Sequence, residues 1–189
     1  MPRCWLVDPP ELGYRSEAAD LDATSLERMK ALGIAWGVQD SLYFNAATFK
    51  KIFGVAVAQR SPPVRNALAM GLMVGAGTDA HRVSNYNPFV SLRWFINGRT
   101  IDGTEAIGDT QHPSRAEALR MYTLNSAWFA HDEDKRGSLE PGKYAALAVL
   151  TKDYMNVPEE EIGGIESLLT IVGGRVVYAA GPYTRLEQE

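Results

Sequence analysis

The apolar positions between residues 24 and 77 follow two alternating patterns. The first set recurs at helical spacing and consists of Leu26, Met29 and Leu32. The Ser/Thr-x-x-Glu form of residues 24–27 is a capping box, which predicts where this helix begins, and Gly33 is typical of the position just beyond a helix C-terminus. The continuous apolar run at residues 34–38 then predicts a buried strand.

The same order of signals predicts a second helix and strand. Ser61 suits an N-cap, Pro62 suits the first helical turn, and Gly71 suits the position after the helix. The apolar residues at helical spacing between them are Val64, Leu68 and Ala69. A strand is predicted next, at residues 72–77. Helices and strands that alternate with short connections predict parallel pairing, and therefore an α/β sheet or barrel.

Two further helices follow. Residues 89–96 predict a helix after a polar loop at residues 81–88. The segment Ser114-x-x-Glu117 is another capping box, and it opens a predicted helix that extends to Phe129.

At Gly137 the chain becomes rich in turn residues and β-branched residues. The Gly173-Gly174 pair between two β-branched runs predicts a hairpin. The predicted elements of this region are a turn at residues 137–143, a strand at residues 144–150 and the hairpin across residues 168–178. We therefore predict an α/β part over residues 1–136 and a small β module over residues 137–189.

Composition limits the functions that this chain can have. With 189 residues, 46% apolar and 22% charged, it has the balance of a soluble globular protein. A net charge of -4 without any run of Lys or Arg argues against nucleic acid and anionic membranes as partners. No apolar stretch approaches the ~20 residues that a membrane span needs, so we expect a cytoplasmic protein.

Cysteine and histidine are scarce. The single cysteine, Cys4, excludes an internal disulfide framework and a cysteine-based zinc cage. It lies beside an apolar run at residues 5–7, and both a buried structural thiol and a nucleophile are open interpretations. The three histidines, none spaced as a chelating pair, are His81, His112 and His131.

The stretch Gly75-Ala-Gly-Thr-Asp-Ala80 permits more than one interpretation. Its spacing fits a dinucleotide-binding fingerprint, but that motif needs a helix to begin within the glycines, and residues 81–88 predict a loop. The acidic residue that should follow is represented only by Asp102, which lies in a glycine-flanked turn. The context favours a strand that presents Asp79 at the C-terminal mouth of an α/β fold, although Asp79 could also simply cap a turn.

Several motifs in order resemble the C-terminal part of an amidohydrolase-superfamily enzyme. The closest group is amidohydrolase family 3, the metal-dependent hydrolases related to N-acyl-amino-acid deacylases and exoenzyme-regulator-like proteins. The similarity covers residues 22–180. The motifs are Gly75-Ala-Gly-Thr-Asp-Ala80, Asn87-Pro88-Phe89, Ser114-x-x-Glu117-Ala118-Leu119 with Thr123-x-Asn125-x-Ala127, Gly137-Ser-Leu-Glu-Pro-Gly-Lys143 and Val172-Gly-Gly-Arg-Val-Val-Tyr178.

The resemblance implies a (β/α)8 barrel followed by part of a small β-sandwich. Residues 1–136 would be the last strands and helices of an incomplete barrel, and residues 137–189 the C-terminal share of a composite sandwich. In this family the Asp of the Gly-Thr-Asp-Ala motif ends the last barrel strand.

The resemblance also implies a site. Asp79 would bind a divalent metal, zinc in the first instance, or its water, and would handle the proton during attack on a small-molecule amide or similar C–N bond. His81 follows closely and is a second candidate metal ligand; a solvated loop histidine is the alternative.

The departures from the family pattern matter equally. The initial His-x-His pair and the later histidine ligands are absent, and a complete barrel needs ~250 residues. We therefore expect the C-terminal portion of a metal-dependent amidohydrolase that is inactive or weakly active as an isolated chain. The alternative is a non-catalytic remnant or interaction module. Through its open barrel edge the chain would pair with another copy or with a partner that carries the N-terminal half of the barrel.

Overall fold

The computed structural model describes residues 21–80 and 84–188, which form helices around two small sheets. The α-helices are α1 (Ala23–Leu32), α2 (Leu42–Phe53), α3 (Val55–Ala58), α4 (Val64–Ala69), α5 (Pro88–Asn97), α6 (Arg115–Tyr122), α7 (Leu124–Phe129) and α8 (Glu159–Ile162). The strands are β1 (Trp36–Gln39), β2 (Val74–Gly77), β3 (Leu147–Leu150), β4 (Ser167–Val172) and β5 (Arg175–Ala179). Two 3₁₀ helices cover Asp109–Gln111 and Gly181–Gln188.

The first sheet confirms the predicted parallel pairing. Strand β1 pairs in parallel with β2, and the register places Trp36 opposite Val74 and Gln39 opposite Gly77. Helices α2, α3 and α4 lie between the two strands in sequence, as a parallel connection requires. The described residues of this sheet comprise these two strands.

Helix α1 begins earlier than its capping box predicts. The N-cap is Asp22, whose side chain accepts a hydrogen bond from the Ser25 amide at 2.7 Å. The prediction placed the cap at Thr24, but the Asp22 carboxylate instead accepts from the amide of the third helical residue, Ser25. Gly33 ends the helix in the left-handed conformation, at φ 69°, as predicted.

Helix α4 begins later than predicted. Ser61 does not cap it, because the Ser61 hydroxyl donates to the Val57 carbonyl at 2.7 Å, and the first helical residue is Val64. The capping box at Ser114 is confirmed, since both of its reciprocal hydrogen bonds to Glu117 are present. The long helix predicted to reach Phe129 is instead divided into α6 and α7.

The division between α6 and α7 lies at Thr123. Its backbone angles, φ -114° and ψ -92°, are not helical. Its hydroxyl donates to the Leu119 carbonyl at 2.8 Å, so the side chain supplies a hydrogen bond where the backbone ladder stops.

Helix α2 is the longest helix of the described chain, with 12 residues, and the sequence pattern did not predict it. It starts almost directly after β1, and its N-cap, Ser41, makes no side-chain capping bond. Its buried face is nevertheless regular and consists of Leu42, Tyr43, Ala46 and Phe49. Without a cap or a long preceding loop, this helix lacked the usual boundary signals.

The second sheet is antiparallel, in the order β3, β4, β5. The predicted hairpin at Gly173 and Gly174 is confirmed, and both glycines have positive φ, 58° and 81°. Those angles suit the two-residue turns that match the twist of paired strands. The division of the chain at residue 136 stays a prediction.

The C-terminal residues contact the helical layer directly. The Arg115 guanidinium donates to the Tyr154 carbonyl at 2.7 Å, and the Tyr154 hydroxyl donates to the Arg115 carbonyl at 3.0 Å. Burial raises the pKa of Tyr154 to about 12, so its hydroxyl keeps its proton and remains a donor at neutral pH. This reciprocal pair joins the start of α6 to the segment after β3.

The hydrophobic core lies between one face of the parallel sheet and the following helices. Trp94, in α5, is fully buried at 0% exposure. The side chains packed in this layer include Trp36, Val38, Val74, Phe95, Ala118 and Met121. The opposite face of the sheet lies away from this core.

Candidate functional site

The candidate site lies at the carboxyl edge of the parallel strands. Asp40 directly follows β1, and Asp79 lies just beyond the end of β2. Because parallel strands end at the same edge of a sheet, the two strand ends bring these acidic segments close together. The register, with Gln39 opposite Gly77, aligns the two ends without a stagger.

Alternation along the strands separates two faces with different roles. Trp36 and Val38 are buried on the helix-facing side, so Gly37 and Gln39 project to the other side. On this second face, which we call the glycine face, Gly37, Gln39, Gly75 and Gly77 lie together. A cavity of 290 Å³ lies against it, and Ser126 and Phe129 complete its lining. The glycine face therefore leaves room beside the strand ends.

Asp79 has a special backbone conformation and a defined side-chain partner. Its φ of 47° lies in the left-handed region, which Asp tolerates better than most non-glycine residues. The Gln39 side-chain amide donates to Asp79 Oδ2 at 3.2 Å. This hydrogen bond links the ends of β1 and β2 and orients one carboxylate oxygen.

Asp40 turns to the helix-facing side and is fully buried, at 0% exposure. Its Oδ2 accepts a hydrogen bond from the Ser84 hydroxyl at 2.7 Å, whereas Oδ1 has no hydrogen-bond partner among the described residues. Burial raises the pKa of Asp40, and the Ser84 and Ser91 hydroxyls partly offset that rise. Burial of this carboxyl group in its charged form therefore costs desolvation free energy at neutral pH.

Ser91 connects Asp40 to α6. The Tyr122 hydroxyl donates a hydrogen bond to the Ser91 hydroxyl. Burial raises the pKa of Tyr122, and the nearby Asp40 charge raises it further, so the phenol stays protonated. The polar cluster behind β1 thus consists of hydroxyl donors gathered around one buried carboxyl group.

The raised pKa of Asp40 predicts how Asp40→Asn changes stability with pH. A folded-state pKa above the unfolded value of ~3.9 means that the folded chain binds the proton more tightly, so the wild type loses stability as pH rises through that window. Asn has no charge to bury. We expect the free energy of unfolding of Asp40→Asn, relative to wild type, to increase from pH 4 to pH 7 by ~1.4 kcal/mol for each unit of pKa elevation. Urea denaturation across this pH range measures it.

Asp102 provides a control with the opposite sign. Hydrogen bonds from Thr100 and Thr104 lower the pKa of Asp102, which is exposed, so its stabilising effect is present at neutral pH and lost as pH falls. Asp102→Asn should therefore be less stable than wild type at pH 7 and approach wild type in acid. The same pH trend for both variants would contradict the assignment of Asp40.

Comparison with known proteins decides the family of this chain. The family model described as "Amidohydrolase family" matches residues 12–178. The chain belongs to the amidohydrolase family. The N-substituted formamide deformylase of Arthrobacter pascens is 32% identical over 116 residues, which cover 61% of this chain and 21% of that relative.

Solved amidohydrolase-like structures share the fold. A metal-dependent hydrolase from Pyrococcus furiosus is 26% identical, with a TM-score of 0.54 over 68% of this chain and 25% of that chain. An atrazine chlorohydrolase variant from Arthrobacter aurescens, complexed with zinc and atraton, is 24% identical, with a TM-score of 0.59 over 86% of this chain and 35% of that chain. The mixed helix and strand architecture is therefore that of amidohydrolase-like structures.

The match covers a limited part of each relative. This amidohydrolase chain spans 21% to 33% of the length of the curated relatives that it matches. Within residues 21–80 and 84–188, no helix has the length and apolar character that crossing a membrane requires.

The family assignment also bears on the dinucleotide interpretation. Gly75 and Gly77 lie within strand β2 itself, and the next helix of the described chain, α5, begins at Pro88. A pyrophosphate site would need a helix N-terminus directly at the glycines. Gly75 instead lets Phe129 pack against β2, because a Cβ atom there would lie 2.7 Å from the Phe129 ring.

The described residues do not by themselves fit a complete zinc site. Asp79 and Gln39 are the polar side chains joined at the strand ends, and among the described residues no group of three or more His, Cys, Asp or Glu could hold a metal ion. Catalytic zinc takes three protein ligands. His81, the second predicted ligand, lies outside the described residues, as does Cys4.

Sequence reasoning predicted Asp79 but missed Gln39 and Asp40. The signal for both was available, because polar residues that directly follow a buried parallel strand lie at the carboxyl edge where such folds carry their sites. Their opposite directions follow from strand alternation.

Proposed function

We propose that this chain supplies part of a metal-dependent amidohydrolase that hydrolyses a non-peptide C–N bond of a small molecule. In this proposal β1 and β2 are the last strands of a (β/α)8 barrel, and β3 to β5 belong to a small β-sandwich. Asp79 is the carboxylate that contributes to binding a divalent cation and to handling a proton. The formamide deformylase and the metal-dependent hydrolases among its relatives support this class of reaction.

The observation that carries the proposal is the placement of Asp79. It lies in a Gly-Thr-Asp-Ala motif just beyond the end of β2, at the carboxyl edge of a parallel pair, within a chain matched to the amidohydrolase family. The Gln39 amide orients its carboxylate at the end of the face that borders the cavity. A carboxylate held in this way can bind a cation or accept a proton from a water molecule.

The metal content of the purified chain tests the proposal that the chain supplies only part of the metal site. We expect zinc well below one equivalent per chain after purification without chelator, because the described residues lack three ligands. We also expect no measurable hydrolysis of N-formyl or N-acyl amines by the isolated chain with added zinc. Elemental mass spectrometry and a product assay measure these two results.

The variant Asp79→Ala and its control Asp109→Ala distinguish the outcomes. Asp109 is exposed and serves as the control. If the wild type held about one zinc per chain, Asp79→Ala lost it and Asp109→Ala kept it, Asp79 would be a ligand. Other residues or a second copy would then complete the site. Zinc or turnover that persists in Asp79→Ala would contradict the proposed role of Asp79.

The second candidate is a non-catalytic interaction module, and the glycine face favours it. Parallel strands are usually covered on both sides, yet Gly37 is exposed and a cavity of 290 Å³ lies against this face. A second copy, or a partner with the remaining barrel strands, would cover it. A single monomeric species in sedimentation velocity over a wide concentration range would remove this candidate.

A further inference from the structure

We propose that helix α7 is an autoinhibitory lid, which occupies the outer edge of β2 and must leave before this edge can pair with a strand of a second copy of the chain. The inference rests on the proposed function for its biological meaning, because in that proposal further barrel strands lie beyond β2. The contacts that define the lid can nevertheless be tested without metal or substrate. We call α7 in this position the edge lid.

The outer edge of β2 has no protection of its own. Its sequence, Val74-Gly-Ala-Gly77, contains no charged residue and no proline, which are residues that usually keep an exposed strand edge from associating. Val74 and Ala76 point away from β1, and the N–H and C=O groups of one residue in a strand point to the same edge. Two such edges related by a twofold axis can therefore exchange hydrogen bonds as an antiparallel pair.

Helix α7 covers this edge with side chains instead of a strand. The Asn125 amide donates to the Val74 carbonyl at 2.7 Å, and the Ser126 hydroxyl donates to the Ala76 carbonyl at 3.2 Å. Both hydrogen bonds reach carbonyl groups, whereas a paired strand would also use the amides of Val74 and Ala76. A strand therefore offers this edge more hydrogen bonds, and α7 competes with it because α7 belongs to the same chain.

Phe129 anchors α7 on the glycine face. A Cβ atom added at Gly75 would lie 2.7 Å from Phe129 Cε2 and 2.8 Å from Cδ2, so the ring lies directly on the backbone of β2. A Cβ atom added at Gly77 would meet nothing within 4 Å. Gly75 is therefore the seat of the ring, and Gly77, on the same face of the same strand, is not.

The break between α6 and α7 is a place where α7 can rotate as a unit. Helix α7 has six residues, and Thr123, which separates it from α6, has no helical backbone angles. Helix α6 keeps its own hold on the core through Ala118 and Met121, which are both buried. A change of backbone angles at Thr123 would thus free the edge of β2 and leave α6 in place.

Gly75→Val tests the edge lid by removing the seat of Phe129, and Gly77→Val is the matched control. Neither glycine has a positive φ, so the strand accepts a β-branched residue at both positions. We expect Gly75→Val to lower the dissociation constant of the dimer about tenfold or more, because the apparent affinity rises with the fraction of chains whose edge is open. Gly77→Val should stay within about twofold of wild type. Sedimentation velocity over a range of concentrations measures the three proteins.

Amide hydrogen exchange of residues 124–130 reports the position of α7 directly. We expect exchange there to be faster in Gly75→Val than in wild type, while exchange in α6 stays unchanged. Gly75→Val combined with Phe129→Ala removes the clash, so Asn125 and Ser126 can return to the edge. Both the exchange rates and the dissociation constant should then move back toward the wild-type values.

Ser126→Ala is a milder variant that tests the same contact without adding volume. It removes the donor to the Ala76 carbonyl, and alanine is the better helix former. We expect the dimer to bind about threefold to fivefold more tightly than wild type, since one hydrogen bond of the edge lid is lost. Thermal melting establishes that each variant is folded. An unchanged dissociation constant in folded Ser126→Ala and folded Gly75→Val would overturn the edge lid.

Other results separate the edge lid from the proposed function. Faster exchange in α7 without tighter association would overturn the lid, and so would equal association in Gly75→Val and Gly77→Val. Tighter association without zinc or turnover that depends on Asp79 would leave the lid standing and remove its connection to an amidohydrolase site. Zinc that depends on Asp79, in a chain whose association does not respond to Gly75→Val, would keep the proposed function and remove the lid.

Discussion

Gly137→Ala should lower the free energy of unfolding by ~3 kcal/mol or more, whereas Gly142→Ala should lower it by only ~1 kcal/mol. Both glycines have nearly the same positive φ, 92° and 93°. A non-glycine residue at either position is therefore strained to a similar extent. The difference between the two variants in the free energy of unfolding therefore reports the space around the added methyl group.

That space differs sharply between the two positions. A Cβ atom at Gly137 would lie 2.8 Å from the Leu124 Cα, 2.8 Å from the Ala127 Cβ and 3.1 Å from the Thr123 carbonyl oxygen, whereas nothing lies within 4 Å at Gly142. Backbone atoms of α7 cannot move aside as the end of a long side chain can. Gly137→Ala must therefore displace α7 or the turn itself.

Urea denaturation of wild type and both variants measures this difference. Equal losses of stability in the two variants would show that backbone conformation alone explains them, and would contradict the close approach at Gly137. A change in the denaturant slope would point to a partly unfolded native state rather than to a simple loss of stability.

The close approach of α7 to Gly137 gives this glycine a packing role that the sequence motif did not reveal. A glycine-rich segment predicts a turn, which the structure contains, but it does not show what lies against that turn. The contact with α7 is tertiary, and no local pattern encodes it. The motif therefore serves to seat the start of the C-terminal segment against the helix that follows α6.

The difference between local sequence signals and tertiary contacts also explains which elements could be predicted. The strands β1 and β2 followed from apolar runs bounded by glycine, and the hairpin followed from Gly173 and Gly174. Both signals are local. Helix α2 was missed because its stability comes from burying Tyr43 and Phe49 rather than from a cap.

The residues of the candidate site also differ in whether a local sequence signal marks them. Asp79 could be predicted because it directly follows a strand in a recognisable motif. Gln39 was overlooked because its role depends on the pairing register, which brings it opposite Gly77 and within reach of Asp79. The environment of Asp40 depends on Ser84 and Ser91, which are distant in sequence and meet only in the folded chain.

The sequence predicted an open barrel edge, but side chains of α7 cover part of the edge of β2. Successive carbonyl groups of a strand point in opposite directions, and the Met73 carbonyl accepts from Trp36 in β1, so the Val74 and Ala76 carbonyls point away from β1. The Asn125 side chain donates to Val74 at 2.7 Å, and the Ser126 hydroxyl donates to Ala76 at 3.2 Å. Helix α7 therefore satisfies part of this edge with side chains, as proteins often do where an unpaired strand could associate.

Asn125→Asp should be among the most destabilising polar substitutions in this chain. Asn125 is 8% exposed, and its amide is the donor to the Val74 carbonyl. A carboxylate there would face a carbonyl oxygen and bury a charge without a partner, so we expect a loss of ~3 kcal/mol at pH 7. Because such a carboxyl group has a raised folded-state pKa, the loss should diminish as pH falls toward the unfolded value of ~3.9, where the protonated group can donate to Val74 again.

Two control variants separate the charge from the lost hydrogen bond. Asn125→Leu keeps the volume and leaves the Val74 carbonyl without its donor, so we expect a loss of ~2 kcal/mol that does not change with pH. Asn66→Asp places the same charge on an exposed amide position of α4, where the effect should be small. Urea denaturation at pH 4 and pH 7 compares them. If Asn125→Asp and Asn125→Leu lost equal stability at both pH values, the edge carbonyl would not face the charge, and β2 would remain free to pair with a further strand.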